Sequence, residues 1–314
     1  MGRRRIRLMQ TLDEVPQIVG VDTSAERQAQ THKEYGVETT ASLDEAIARF
    51  NPNAALVCTS PASHGPIAMQ CLDAGLNVYM EINLIGDWYD KASALAAQKG
   101  LRVFVSSTFL YHPQINYIID AVKGEKVNYI YHSGQYLPDW HPWESYKNFF
   151  VADKRTNACR EILAIEFPWI LKAFGEVESV HVMKEKDSSL ELGFPDNFMI
   201  SIRHKNGNKG VFCQDVISRK GMRGLEIYSE NLHLFWDGRA QKLSRYNIEK
   251  KELEPVVLPE DSVDYTDKVP TYFENVYREE TKAFFECLNG KTSPRYSFAA
   301  DKQVLGLIDQ IEGI

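Results

Sequence analysis

Apolar and polar positions follow two rhythms along this chain, and the change comes just after Gly124. In the first part, helical patterns alternate with short apolar runs. Ile6, Met9 and Leu12 recur at helical spacing. Residues 17–21 (QIVGV) read as a strand ending at Asp22, Ala25 to Tyr35 as a helix, and residues 37–39 as a short strand. Leu43 to Phe50 is a helix with Ser42 as its cap. Ala55 to Cys58 is an apolar run of the kind that forms a buried strand. Thr59 to Ser63 is turn chemistry, His64 to Ala74 is a helix stopped by Gly75, and Asn77 to Met80 is a strand ending at Glu81. Trp88 to Lys99 predicts a helix and Leu101 to Ser106 a strand. Strand, helix and strand in succession predict a parallel sheet, whose ligands bind beyond the carboxyl ends of its strands. The loops Thr59 to His64 and Glu81 to Asn83 therefore carry the first candidate site.

From Lys126 the rhythm is mainly that of strands. Val127 to Tyr136 alternates. Thr156 to Gly175 is an apolar helix in which Pro168 deprives the Ala164 carbonyl of its donor. Residues 179–185, 197–205, 210–216, 224–228, 232–236 and 243–247 read as strands, and Asn206-Gly207 is a strong hairpin signal. Residues 249–268 read as a charged loop, Tyr272 to Leu288 as an amphipathic helix, and Ser297 opens another. This predicts one meandering antiparallel sheet with helices on one face. The other face, carrying part of Ile200, Ile202, Phe212 and Phe235, would be left for a second copy, giving a homodimer or homotetramer.

Composition changes the picture little. The chain has 314 residues, 44% hydrophobic and 25% charged, which suits two soluble domains. A net charge of −7 argues against nonspecific nucleic-acid binding. Arg3-Arg4-Arg5 is too short for a nucleic-acid patch and reads as a solvated helix face. No apolar run is long enough for a membrane span, and no signal-peptide pattern is present. The five cysteines are scattered without metal spacing, as expected of reduced thiols in a cytoplasmic protein. No metal site is expected.

The start of the chain is unusual. A dinucleotide-binding unit opens with a strand, a glycine-rich turn and a helix, with an acidic residue about 20 positions on for the ribose. Here Gly2 leads straight into a helix, and Asp22 stands at that distance. Gly2 reads as the third glycine of a motif whose first strand and first two glycines are missing. We expect an upstream start or, alternatively, a lost phosphate-binding turn.

The run Thr59-Ser60-Pro61-Ala62-Ser63-His64, followed by a helix, Ala-Gly, a strand and Glu81, resembles the glucose–fructose oxidoreductase / inositol dehydrogenase / rhizopine-catabolism (Gfo/Idh/MocA) family. The resemblance is strongest over residues 2–112 and looser beyond. It implies a Rossmann domain over 1–110, here a doubly wound parallel sheet without its first strand. It also implies an α+β domain over 111–314 with a large open, mainly antiparallel sheet, the last helices bracing both. It implies NAD, with NADP possible, and a sugar, polyol or nucleotide-sugar substrate. Gly2, Arg3, Asp22, Thr23, Arg27, Thr59, Ser60, Pro61, His64, Glu81 and Asn83 fall where the family holds its cofactor. Asp22 favours NAD by repelling a 2′-phosphate, and Arg27 softens that preference.

Three departures bear on catalysis. The family's Glu-Lys-Pro is Glu81-Ile82-Asn83, and isoleucine cannot move a proton. Leu110 stands where many relatives have Arg, although Tyr111, His112 and Pro113 fit. In the helix before Gly175 the family's Asp and His correspond to Glu161 and Ile165, or with a slip of one residue Glu166 takes the His place. Carboxylates in so apolar a helix are costly unless paired or functional. Glu81, Glu161 and Glu166 are thus the catalytic candidates. Arg160, Tyr111, His112 and the aromatic run with Trp140, His141, Trp143 and Tyr146 are the substrate candidates. Each has a plainer reading as a cap, ion pair or sheet cover. The expected function is an NAD(H)-linked oxidoreductase; the alternatives are a non-catalytic sugar or cofactor sensor, and a lyase or glycosidase using transient oxidation.

Overall fold

The computed structural model describes residues 1–239, 242–258 and 274–314. The chain divides into two units: Met1–Ser106 with Tyr277–Lys302, and Ser107–Val276 with Gln303–Ile314.

The first unit is parallel α/β. Helix α1 (Gly2–Met9) leads to strand β1 (Val19–Val21), helix α2 (Ala25–Tyr35), β2 (Glu38–Thr40) and α3 (Leu43–Phe50). Ser24 and Ser42 cap α2 and α3 by accepting the amides of Arg27 and Glu45. Then follow β3 (Ala54–Val57), α4 (Pro61–Asp73), β4 (Asn77–Met80), α5 (Tyr89–Lys99) and β5 (Val103–Val105). Helix α4 begins three residues earlier than its apolar spacing suggested. Pro61 occupies its first turn, where a missing N–H costs nothing, and so the expected Thr59 to His64 loop shrinks to Thr59 and Ser60.

The parallel strands do not form one sheet. β1 pairs with β2, while β3, β4 and β5 form a separate three-stranded sheet. The break falls between β1 and β3. Ile6, Met9 and Val37 pack there with Ile18 and Leu56.

The second unit holds α6 (Pro113–Ala121), β6 (Asn128–Gly134), α7 (Ala158–Phe174) and β7 (Val177–Glu185). It continues with β8 (Asn197–His204), β9 (Lys209–Asp215), β10 (Met222–Tyr228), β11 (His233–Trp236), β12 (Leu243–Asn247) and β13 (Glu252–Pro255). β6 to β13 make one sheet of eight strands in the order β13-β12-β11-β10-β6-β9-β8-β7. It is not a simple meander: β6 inserts between β10 and β9 and runs parallel to β9. β13 lies in the stretch expected to be a loop; its charged residues suit an exposed edge strand. The rest of that loop from residue 259, and Tyr272 and Phe273 of the expected helix, lie outside the described residues. Helices α8 (Glu274–Leu288) and α9 (Phe298–Glu312) complete the chain.

Side chains alternate across this sheet. Tyr129, Tyr131, Ile200, Ile202 and Phe212 are buried on one face. Tyr131 stacks on Phe212 at 5.0 Å and Tyr129 on Phe174 of α7 at 4.0 Å. Of the four residues expected to contribute to the open face, Ile200, Ile202 and Phe212 belong to the covered one, while Phe235, in register with Glu226 and Ile130, lies on the open one. The open face also carries Ile130, Met183, Met199, Val211, Met222 and Tyr228, all at least 38% exposed.

Candidate functional site

Asp22 stands at the carboxyl end of β1. Its carboxylate accepts the Ser24 amide at 2.8 Å and the Arg27 Nε at 2.8 Å. Against a burial penalty, these partners hold the Asp22 carboxyl below its ordinary range. Thr23 and Arg27 are exposed beside it. Thr59 and Ser60, exposed at the end of β3, present hydroxyls next to the first turn of α4. Gly2 and Arg3 open α1, whose first turn has no acidic residue. A half-buried carboxylate at one strand end and exposed hydroxyls at another suit the ribose and phosphates of a dinucleotide.

His64 is 1% exposed, at the second turn of α4. Its Nε2 lies 3.0 Å from the Thr59 carbonyl oxygen and its Nδ1 lies 3.2 Å from Asn83 Oδ1. Pro61 is buried in the same turn. Asn83 donates to the Ile85 carbonyl at 2.7 Å and to the Tyr89 hydroxyl at 2.8 Å. The loop after β4 thus keeps its shape through Asn83, and no cis peptide bond occurs among the described residues.

Glu81 is 5% exposed and its Oε1 accepts Arg5 Nε at 2.6 Å. Arg5, 1% exposed, also donates to Glu280 at 2.8 Å and to the Thr281 hydroxyl at 2.9 Å. Tyr79 donates to Glu280 at 2.8 Å. This corrects the reading of Arg3-Arg4-Arg5 as a solvated face, because Arg5 is a core residue. The signal was there: Arg5 precedes Met9 by four positions and Leu12 by seven, on the apolar stripe of α1.

In the second unit, α7 starts at its Asn157 cap, which accepts the Arg160 amide. The Arg160 guanidinium reaches Asp309 at 2.7 Å and also Glu312, both on α9. Glu166 is fully buried and accepts four donors: Trp169 Nε1 at 2.7 Å, Tyr131 at 2.8 Å, Arg223 Nε at 2.9 Å and Ser133 at 3.3 Å. Glu161 differs. Its Oε2 is shielded from solvent and has no hydrogen-bond partner among the described residues. Desolvation alone pushes its carboxyl up to about 7.

Tyr111 and His112 are buried at the end of a short 3-10 turn, Thr108–Tyr111, that leads into α6. Burial, and then the Arg223 guanidinium, push His112 down to about 3. Its ring meets Trp236 edge-on at 5.3 Å. The aromatic run is divided. Trp140 donates to the Gln135 carbonyl at 3.1 Å, and the Tyr146 hydroxyl accepts the Glu191 amide at 3.0 Å. His141 packs on Trp143 and Phe149, and Trp143 is 74% exposed. Pro138, Pro142, Trp143, Glu144, Ser145 and Tyr146 line an open cleft of about 400 Å³. No group of metal-ligating side chains occurs among the described residues, and none of their helices is long and apolar enough to cross a membrane.

Residues 1–107 match the model of the oxidoreductase family with an NAD-binding Rossmann fold, GFO_IDH_MocA. A 4-carboxy-2-hydroxymuconate-6-semialdehyde dehydrogenase from Sphingobium is 28% identical over 124 residues, 38% of this chain and 39% of that protein. The chain's match thus spans about two fifths of that relative's length. Among solved structures, a UDP-N-acetylglucosamine 3-dehydrogenase from Acidithiobacillus ferrooxidans is 17% identical, with a TM-score of 0.78 over 99% of this chain and 93% of that one. An oxidoreductase from Agrobacterium radiobacter, solved with NAD+, L-tartaric acid and magnesium, is 8% identical, with a TM-score of 0.83 over the same shares of 99% and 93%. Residues 1–107 thus match the NAD-binding Rossmann part of the Gfo/Idh/MocA oxidoreductase family, and the chain shares the fold of these structures, its C-terminal part being built on an open, mostly antiparallel eight-stranded sheet.

Proposed function

We propose that this chain is an NAD(H)-linked oxidoreductase acting on a sugar, polyol or nucleotide sugar, with Glu161 as the group that moves the proton. The carrying observation is Glu161 on a half-buried position of α7, its Oε2 shielded and without a hydrogen-bond partner among the described residues and its carboxyl raised to about 7. A group poised there gives up and takes back a proton at neutral pH, as general acid–base work requires. Glu166 and Glu81 have the opposite setting. Four donors surround Glu166, and Arg5 holds Glu81. They are better suited to fixing Arg223 and the end of β4 than to exchanging protons.

The cofactor role falls to Gly2, Arg3, Asp22, Thr23, Arg27, Thr59, Ser60, Pro61, His64 and Asn83. When bound, NAD supplies the hydride acceptor. Asp22 takes the ribose hydroxyls and disfavours a 2′-phosphate, giving NAD the preference over NADP. Tyr111, His112, Trp140, His141, Trp143, Tyr146 and Arg160 are the substrate candidates, with the exposed Trp143 ring best placed to stack on a sugar face. The open sheet face, with its exposed Met183, Met199 and Met222, is the surface expected to pair two copies.

The test is NADH formation with a panel of polyols, sugars and nucleotide sugars. Turnover with at least one is expected, and Glu161→Gln should lower kcat by about 100-fold or more. Unchanged kcat in that variant would remove Glu161 from the chemistry. Ile82, where relatives carry lysine, favours the second reading of a sensor. In that case sugars or cofactor would bind and no NADH would appear.

A further inference from the structure

A line of buried hydrogen bonds runs from α9 to the loop after β3, all within the first unit. Asp301, 3% exposed, accepts the hydroxyls of Tyr89 and, at 2.9 Å, Tyr296. Burial and then the Asp301 carboxylate push the Tyr89 phenol well above its ordinary value, so its hydroxyl keeps its proton and gives it to Asp301. The same oxygen can then only accept from Asn83, and it lies 2.8 Å from Asn83 Nδ2. The other Asn83 contact, at 2.7 Å, is to the Ile85 carbonyl, which can only accept. Both contacts demand the amide nitrogen. A flipped Asn83 would set oxygen against oxygen at Ile85.

The orientation of Asn83 is therefore fixed, and its Oδ1 faces His64 Nδ1 at 3.2 Å. His64 Nε2 faces the Thr59 carbonyl oxygen at 3.0 Å. Both ring nitrogens thus face acceptors. A neutral imidazole has one N–H and can satisfy one of them; an imidazolium satisfies both. The groups around the ring divide in the same way. Burial pushes His64 below its ordinary value, while the Thr59 carbonyl, Asn83 and the Glu81 carboxylate pull it upward. Glu81 is itself held by Arg5, 2.6 Å away.

We propose that Asp301 and Tyr89 are positioning residues for the cofactor loops, acting through Asn83, and that the junction between the loops after β3 and β4 closes fully only when His64 carries a proton on both ring nitrogens. This rests on the reading that these loops receive the cofactor. Cofactor affinity then falls as pH rises through the His64 titration. Above it, one acceptor is left facing a lone pair and the Thr59 or Asn83 contact opens.

The experiment combines nitrogen NMR of the histidine-labelled full chain with NADH fluorescence titration, from about pH 5 to 9 across the histidine range. The His64 signals are identified by their loss in His64→Gln. Two protonated ring nitrogens are expected below the His64 midpoint. Affinity should drop about fivefold across it, the worth of one ordinary hydrogen bond. Tyr89→Phe keeps the ring stacked on Phe298 at 4.5 Å but removes the hydroxyl. It should move the His64 midpoint and the affinity midpoint downward together, which a merely structural role would not do. A single protonated nitrogen throughout, affinity indifferent to the titration, or midpoints unmoved by Tyr89→Phe would each overturn the proposal. If the chain binds no NADH at any pH, the cofactor reading fails instead. The junction then stands or falls on whether the Thr59, Ser60 and Asn83 amide signals titrate with His64.

Discussion

Two glutamates on one helix have been given opposite surroundings. Glu166 has four donors, whereas the shielded Oε2 of Glu161 has none among the described residues. The difference has a signed consequence for stability. A carboxyl near 4.5 in the unfolded chain and about 7 in the folded one binds more protons folded than unfolded between those values. Stability is therefore lost as pH rises across that window and is flat above it. Glu161→Gln removes the penalty. In urea denaturation at pH 8 the variant should be more stable than the parent, by up to about 3 kcal/mol, and the gap should close towards pH 4. Equal stability at both pH values would mean that the carboxyl is solvated. That one of these carboxylates needed a role was legible in the sequence, since both lie in an apolar helix. Which one was not, because the partners of Glu166 come from strands 35 and 57 residues away. Asp301 and Glu280 were missed for the same reason. Their signal was an acid on the apolar stripe of its helix: Asp301 among Phe298, Val304 and Leu305, and Glu280 between Val276 and Phe284.

At the scale of elements, local chemistry was legible and strand order was not. Caps, glycine stops and the Asn-Gly hairpin each announce themselves within a few residues, and α2, α3 and β4 fall where those signals put them. The insertion of β6 beside β9 is a pairing across more than 80 residues, from Asn128 to Lys209, which no local pattern encodes. The parallel strands fall in two separate sheets, and the break lies between β1 and β3. It leaves β1 and β3 each with a neighbour on one side only. In a parallel ladder alternate residues bond opposite neighbours. Hydrogen exchange read residue by residue should therefore alternate along Val19–Val21 and Ala54–Val57, fast where the amide faces the break. Uniform protection along both strands would show that something pairs with those edges. β4, flanked on both sides, should be protected throughout.

At the scale of the whole molecule, the open sheet face sets the expected assembly. Met199 and Val211 lie on it, 45% and 38% exposed. A charge at that face is cheap in a monomer and costly against a second copy. Met199→Lys should shift the dimer towards monomer in light scattering while leaving the melting curve of the dilute protein nearly unchanged. A parent that is already monomeric at working concentration would rule the pairing out. The alternation of the strands told us that such a face would exist, but the alternation alone did not say which set of residues it carried. Ile200 and Phe212 went to the helices because the opposite set meets Asp215, His132 and the exposed methionines, and α7 can bury only one.

The Arg5 cluster has a consequence for how such a chain can change over generations. Arg5, Glu81 and Glu280 stand 76 and 275 positions apart in sequence, yet they share one buried charge balance. Losing the arginine alone strands two carboxylates in the core, and losing one glutamate alone weakens the hold on the arginine. Trading all three for apolar residues of like volume can be nearly neutral. Descendants should therefore keep the trio or replace it as a set, with intermediates rare. Its joint presence would mark lineages that inherited this core more sharply than any one of the three residues.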